Sequence, residues 1–255
     1  EALALSGWEM GDFLGRPLKD EGIPWKPIPM EGETRVALMV HDQSTGLEYR
    51  FLPEGPAVHA HEIDACADAI LHKREGFVVA SGSLPPGVPD DFYARLARLA
   101  KARGSRLVLD TSEAALAIAL EEGVFLVKPS LRELTELTGS ALTTTDAQRQ
   151  AAQQLIARGQ AQMVALSLGA EGAMLVTADQ CLKAEALSVP VVGSVGAGDS
   201  FLAGLLWALD AQWALPQALA TAMAAGAAAV MTAGTALSQP QDVAHLREQV
   251  RIQTC

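Results

Sequence analysis

A chain of 255 residues, 49% of them hydrophobic, can bury a large core within a single α/β domain. Its formal charge of −11 repels polyanions, which argues against nucleic acid or an anionic membrane as the main partner and leaves phosphate binding to a few placed cations and helix N-termini. The three cysteines, Cys66, Cys181 and Cys255, have no CxxC spacing and no paired pattern, so neither a disulfide framework nor a zinc cluster is expected and the compartment reads as cytoplasmic.

In chain order, Glu1 to Gly7 reads as a strand already under way, without the basic flank of a signal peptide. From Glu33 to Leu52 a β-hairpin is expected: Thr34 to Val40, a turn over Asp42-Gln43-Ser44-Thr45-Gly46, then Leu47 to Phe51. No helix pattern covers it, so it is expected outside the main sheet as a lid or dimer contact. His59 and His61 precede a helix expected over Glu62 to Lys73, His41 lies in the hairpin, and without HxxxH or HExxH spacing all three read as structural or solvent-facing. Strands follow at Phe77 to Ala80, Arg106 to Leu109, Phe125 to Val127, Met163 to Leu166 and Ala173 to Val176, with helices such as Asp91 to Ala102 and Thr145 to Arg158 between them. Continuous apolar strands separated by helices predict a doubly wound, mainly parallel α/β sheet covered on both faces. The run from Ala218 to Gly234 is too short and too weakly apolar to span a bilayer. There is no repeat and no linker long enough to divide the chain.

Ligands of open α/β sheets bind at the C-terminal ends of the strands. Four loops stand there: Ser81-Gly82-Ser83-Leu84-Pro85-Pro86-Gly87, Lys128-Pro129-Ser130-Leu131-Arg132-Glu133, Ser167-Leu168-Gly169-Ala170-Glu171-Gly172, and Gly196-Ala197-Gly198-Asp199. Ser83 beside two prolines is a hydroxyl on a rigid turn. Ser130 and Glu133 have the spacing of a capping box, which by itself accounts for both, and Gly169 and Gly172 are equally what a turn between strands needs. No GxxxxGK[ST], GxGxxG or GxSxG motif supports a Walker ATPase, a dinucleotide enzyme or an α/β-hydrolase.

The fourth loop is the most informative. In Val195-Gly196-Ala197-Gly198-Asp199-Ser200-Phe201-Leu202 small residues let backbone N–H groups converge where a helix begins, and Asp199 stands in the first turn beside any anion they hold. A lone Asp199 would be explained as a dipole partner, but the two glycines make a nest that a cap does not need. A carboxylate beside a phosphate cradle points to phosphoryl transfer.

Val195-Gly196-Ala197-Gly198-Asp199-Ser200 resembles the second signature of the ribokinase-like (PfkB) carbohydrate kinases, and the other three loops resemble that family's substrate and nucleotide loops in the right order. The hairpin, with Thr34-Arg35 and Glu48-Tyr49-Arg50-Phe51, is most similar to the bacterial minor 6-phosphofructokinase branch. The resemblance implies Asp199 as the base and the N–H groups of Gly196, Ala197, Gly198 and Asp199 as stabilisers of the transferring phosphoryl. It implies Arg35, Arg50 and Ser83 as substrate contacts, and Lys128, Ser130, Ser167, Gly169, Gly172 and Ser194 around ATP. Glu133 would organise Mg²⁺, and the small side chains of Ala224 to Val230 would leave room for adenine. The expected reaction is ATP-dependent phosphorylation of fructose 6-phosphate by a homodimer paired through the lid. The alternatives are 1-phosphofructokinase, tagatose-6-phosphate kinase or a non-catalytic remnant that binds sugar phosphate or nucleotide. Two departures from the family pattern stand out: Ser130 replaces the usual Asn, and neither the glycine-rich GGxGxN signature nor an opening strand with a sugar-binding Asp is found, so the chain reads as N-terminally truncated.

Overall fold

The computed structural model describes residues 1–45, 47–70 and 76–255. Strand β1 (Ala2–Ser6), helix α1 (Trp8–Asp20) and strand β2 (Trp25–Pro29) form a βαβ unit whose strands pair in parallel from Ala2↔Trp25 to Ser6↔Pro29. The hairpin follows as β3 (Leu38–His41) and β4 (Glu48–Phe51), an antiparallel pair in a sheet of its own. Helix α2 (Ala60–Ile70) packs on β1 and β2.

The main sheet begins with β5 (Phe77–Ser81), and the chain then winds through α3 (Phe92–Ala102), β6 (Arg106–Asp110), α4 (Glu113–Glu121), β7 (Val124–Val127), α5 (Leu131–Thr138), α6 (Thr145–Ala157) and β8 (Ala161–Ser167). These four strands are parallel neighbours. Strands β9 (Ala173–Val176) and β10 (Cys181–Ala184) turn antiparallel, then come α7 (Ala197–Asp210), α8 (Leu215–Val230), α9 (Pro240–Arg247) and β11 (Ile252–Thr254), giving the order β11-β10-β9-β8-β7-β6-β5. The sheet is thus parallel through β8; the connections β8–β9 and β9–β10 are too short to hold a crossover helix, so those pairs are antiparallel, and β11 joins β10 antiparallel only after the chain has passed through α7, α8 and α9.

Alternation along the strands builds the two faces. Leu107, Leu109, Val127, Val164 and Leu166 join the core beneath α2, α3, α4 and α6, whereas Val108, Leu126, Ala165 and Leu175 meet Phe201, Leu202, Leu205 and Leu219 of α7 and α8. Burial on both faces is why these strands read as unbroken apolar runs, and each fully buried leucine contributes about 2 kcal/mol of transfer free energy. Helices α7 and α8 lie so close that a Cβ on Gly204 would stand 2.9 Å from the Ala225 Cβ. Ala224, Ala225, Ala228 and Ala229 are buried, so tight helix packing is a sufficient reason for their small size.

Several expectations need correction. The hairpin strands begin at Leu38 rather than Thr34, because Thr34 is drawn to the start of α1: its Oγ1 accepts from the Gly7 N–H at 2.9 Å. His61 lies inside α2, not before it. Gly46 of the turn and positions 71–73 at the end of the expected helix lie outside the described residues. The largest correction is a disulfide. Register in the β10–β11 pair places Cys255 beside Cys181, where the Cys255 N–H donates to the Cys181 carbonyl at 3.0 Å, and the two sulfurs are bonded across a sequence separation of 74. Cys66 is free. Among the described residues no helix is long and apolar enough to cross a membrane.

Candidate active site

Helix α7 starts at a left-handed Gly196 (φ +77°), and the Ser200 N–H closes the first turn onto the Gly196 carbonyl at 2.8 Å. The N–H groups of Ala197, Gly198 and Asp199 therefore have no partner within the helix and point out of its N-terminus, where the helix dipole favours an anion. Gly198 and Asp199 are exposed.

The ammonium of Lys128 stands against this turn. A Cβ on Gly198 would lie 3.5 Å from Lys128 Nζ, an ordinary contact distance that puts the ammonium beside the turn, and Nζ pairs with Asp110 Oδ1 at 3.0 Å. Lys128 directly follows the C-terminal end of β7 and is only 7% exposed, while Asp110 ends the neighbouring strand β6. Burial pushes the Asp110 carboxyl up. Lys128 draws it back down by charge and hydrogen bond, Asp199 and Glu133 push it up again, and it stays above the ordinary value. Asp110 thus feels both carboxylates assigned from the sequence, so the three acids and Lys128 share one field.

Ser130 and Glu133 form a complete capping box at the start of α5. Ser130 Oγ accepts from the Glu133 N–H at 3.2 Å, and Glu133 Oε2 accepts from the Ser130 N–H at 2.7 Å. The cap uses one carboxylate oxygen. Ser167 adjoins this loop through its N–H to the Pro129 carbonyl (3.0 Å) and a bridge to Ser130. Gly169 and Gly172 take positive φ in the turn between β8 and β9, and a Cβ on Gly172 would fall on the Ala184 carbonyl, so the turn explains both glycines.

The substrate-side residues are more scattered. The loop after β5 is held to Asp110 by the Gly82 N–H to its carbonyl at 2.9 Å, and the Gly82 carbonyl accepts from Tyr93 and Thr111 hydroxyls at 2.9 Å each, leaving Ser83 exposed beyond it. Arg35 is exposed in the segment leading to β3, beside Gly55. Arg50 lies in β4 opposite Met39, on the other face of the hairpin from Tyr49 and Phe51. Ser194 is exposed ahead of the Gly196 turn.

Asp110 was missed from sequence, although an acid closing an apolar strand, in Arg106-Leu107-Val108-Leu109-Asp110, is the available signal. Thr111, buried beside it, carried none.

The model of the pfkB family carbohydrate kinases matches residues 4–242. The chain is 39% identical over 244 residues to "ATP-dependent 6-phosphofructokinase isozyme 2" of Mycobacterium tuberculosis, covering 95% of this chain and 72% of the relative. It is 36% identical to the "1-phosphofructokinase" of Rhodobacter capsulatus, covering 98% and 80%. The crystal structure of phosphofructokinase-2 from Escherichia coli with potassium superposes with a TM-score of 0.93 at 34% identity, covering 97% of this chain and 81% of the other. With the family model matched over nearly its whole length and relatives at 36–39% identity, this chain belongs to the pfkB family of carbohydrate kinases.

Proposed function

We propose that the chain transfers the γ-phosphoryl group of ATP to a hydroxyl of fructose 6-phosphate. The observation that carries this is the approach of Lys128 to the Gly198–Asp199 turn: a cation, free N–H groups and a carboxylate meet where a helix begins. A phosphoryl group held there has its equatorial oxygens facing the N–H groups and the ammonium, which offset charge in a loose transition state. Asp199 accepts the proton of the attacking hydroxyl. The sugar hydroxyl oxygen bonds to γ-phosphorus as the bond from γ-phosphorus to the β–γ bridging oxygen breaks, and ADP leaves. Ser130, Ser167, Gly169, Gly172 and Ser194 border the nucleotide.

The donor set fits Mg²⁺. Among the described residues no group of three His, Cys, Asp or Glu could hold a metal by itself, but Asp110 and Glu133 each keep an oxygen beyond their bonds to Lys128 and Ser130. One or two carboxylates with nucleotide phosphates and water are the usual Mg²⁺ environment. Bound there, the ion would neutralise phosphate charge.

Substrate choice rests on the hairpin and the named relatives. Arg35 grips the phosphate the sugar already carries, with Ser83 on its hydroxyls and Arg50 on the lid. The hairpin aligns Leu38 with Phe51 and Val40 with Tyr49 on one face, and all four side chains are about half exposed or more. A two-stranded sheet with such a face is marginal alone, and a second copy of the chain covers it in a homodimer. We place the chain in the cytoplasm, where the Cys181–Cys255 pair would be held reduced.

A second reading, a non-catalytic binder, is favoured by Ser130, which stands where the family pattern usually has Asn and has no side-chain amide N–H to donate. One assay separates the readings: the chain is offered Mg-ATP with fructose 6-phosphate, fructose 1-phosphate or tagatose 6-phosphate, and kcat/KM is compared. The proposal expects fructose 6-phosphate to lead. Equal or faster turnover of either other sugar overturns the substrate, and nucleotide binding with no turnover supports the binder.

A further inference from the structure

Outside the kinase site, one carboxylate is buried with both oxygens engaged. Glu62 is 1% exposed near the start of α2. Its Oε2 accepts from the His59 N–H at 2.7 Å, the bond a third-position glutamate makes to a helix N-cap. Its Oε1 accepts a short hydrogen bond from the N–H of Glu31, which lies 31 residues earlier, on the chain that enters the hairpin. A carboxylate so deeply buried is costly unless both oxygens are paired, and here each pairs with backbone from a different segment. Burial alone would raise its pKa, but the N–H groups of His59 and Glu31 and the nearby His59 and His61 outweigh burial and hold it below the ordinary value.

Glu133 shows the contrast. Its partner Ser130 completes a capping box that stays within one loop. At α2 the residue before the helix is His59, and Glu62 reaches past the cap to the other segment. Residues 31 and 59 bracket the hairpin. Between them the entering and leaving chains touch repeatedly: a Cβ on Gly32 would lie 2.8 Å from Pro56 Cβ, and one on Gly55 would lie 3.7 Å from Arg35 Cβ. The exposed His59–Glu31 ion pair, at 3.5 Å, adds little. The double stalk is therefore fastened at its root by Glu62, with Arg35 four residues farther along.

We propose that Glu62 is a positioning residue that clamps the two stalks of the lid and thereby sets Arg35 for the substrate phosphate. The role of Arg35 in this statement rests on the function proposed above; the clamp itself does not.

Glu62→Gln tests it, since glutamine also serves at the third helical position and keeps one acceptor oxygen, but turns an amide NH₂ toward the second N–H. Hydrogen exchange is read across residues 31–59 and across β6 to β8, alongside KM for each substrate. The clamp predicts exchange in 31–59 faster by roughly tenfold, as loss of a charge-assisted bond implies, with β6 to β8 unchanged. It also predicts KM for the sugar phosphate raised by about tenfold and KM for ATP unmoved. Glu31→Pro, which deletes the Glu31 donor and leaves α2 intact, should reproduce both effects. If Glu62 only caps α2, Glu62→Gln leaves exchange in 31–59 as it was, and the proposal is overturned. A chain that turns over no sugar phosphate at all would defeat the kinase reading, while the exchange measurement still decides the clamp.

Discussion

Lys128 and Asp110 end adjacent parallel strands, and their side chains meet at 3.0 Å with the ammonium directed at the turn that starts α7. The pair is nearly enclosed, with side-chain exposures of 9% and 18%. Such a pair adds little net stability, yet removing one partner strands the other.

Lys128→Met should therefore destabilise the fold by about 3 kcal/mol and abolish turnover. It also removes the influence that holds the Asp110 carboxyl down. A carboxyl whose pKa is raised by folding opposes folding at neutral pH and is relieved as pH falls through that raised value, so the variant should regain stability on acidification. Adding Asp110→Leu should restore much of the stability without activity. Urea denaturation of both variants checks this, and a double variant no more stable than Lys128→Met would contradict it.

Arg35→Ala tests the substrate side. Loss of a charge-assisted phosphate contact is worth roughly 1.5–3 kcal/mol, about tenfold to a hundredfold in KM for the sugar phosphate. KM for ATP should stay within about twofold, since Arg35 belongs to the stalk and not to the strand ends that carry Lys128 and Ser167. A loss confined to ATP affinity would place the lid elsewhere.

The disulfide makes a separate prediction. It ties β11 to β10 and closes a loop that contains α7, α8 and α9. Cross-linking across a separation of 74 residues restricts the unfolded chain by about 4 kcal/mol. Reduction should lower Tm by roughly 10 °C at 2–4 °C per kcal/mol for a chain of this size. An unchanged Tm after reduction confirmed by thiol titration would contradict it.

Sequence patterns revealed the wound sheet because its strands are buried on both faces and so read as apolar runs. The Gly196–Asp199 turn was legible for a different reason: a nest needs small residues in immediate succession. Relationships between distant segments were not. Cys181 and Cys255 meet only through the register of an edge strand, and Asp110 acquires its partner only when β6 lies beside β7. Glu62 carried no signal beyond that of an ordinary helix cap, because its second partner is a backbone N–H, which every residue but proline owns. Ser130 and Glu133 were legible as a cap, and the structure bears the cap out.

The central claim is that Asp199 accepts the proton in phosphoryl transfer, and Asp199→Asn tests it most directly. Asparagine keeps the shape and serves a helix N-terminus nearly as well, so folding and ATP binding should persist. It cannot take the hydroxyl proton, and general-base catalysis contributes about 10²–10⁴-fold. Steady-state turnover of fructose 6-phosphate, with ATP binding measured alongside by calorimetry, should show kcat reduced at least about a hundredfold at unchanged nucleotide affinity. A variant that binds ATP normally and keeps near-normal kcat would contradict the account.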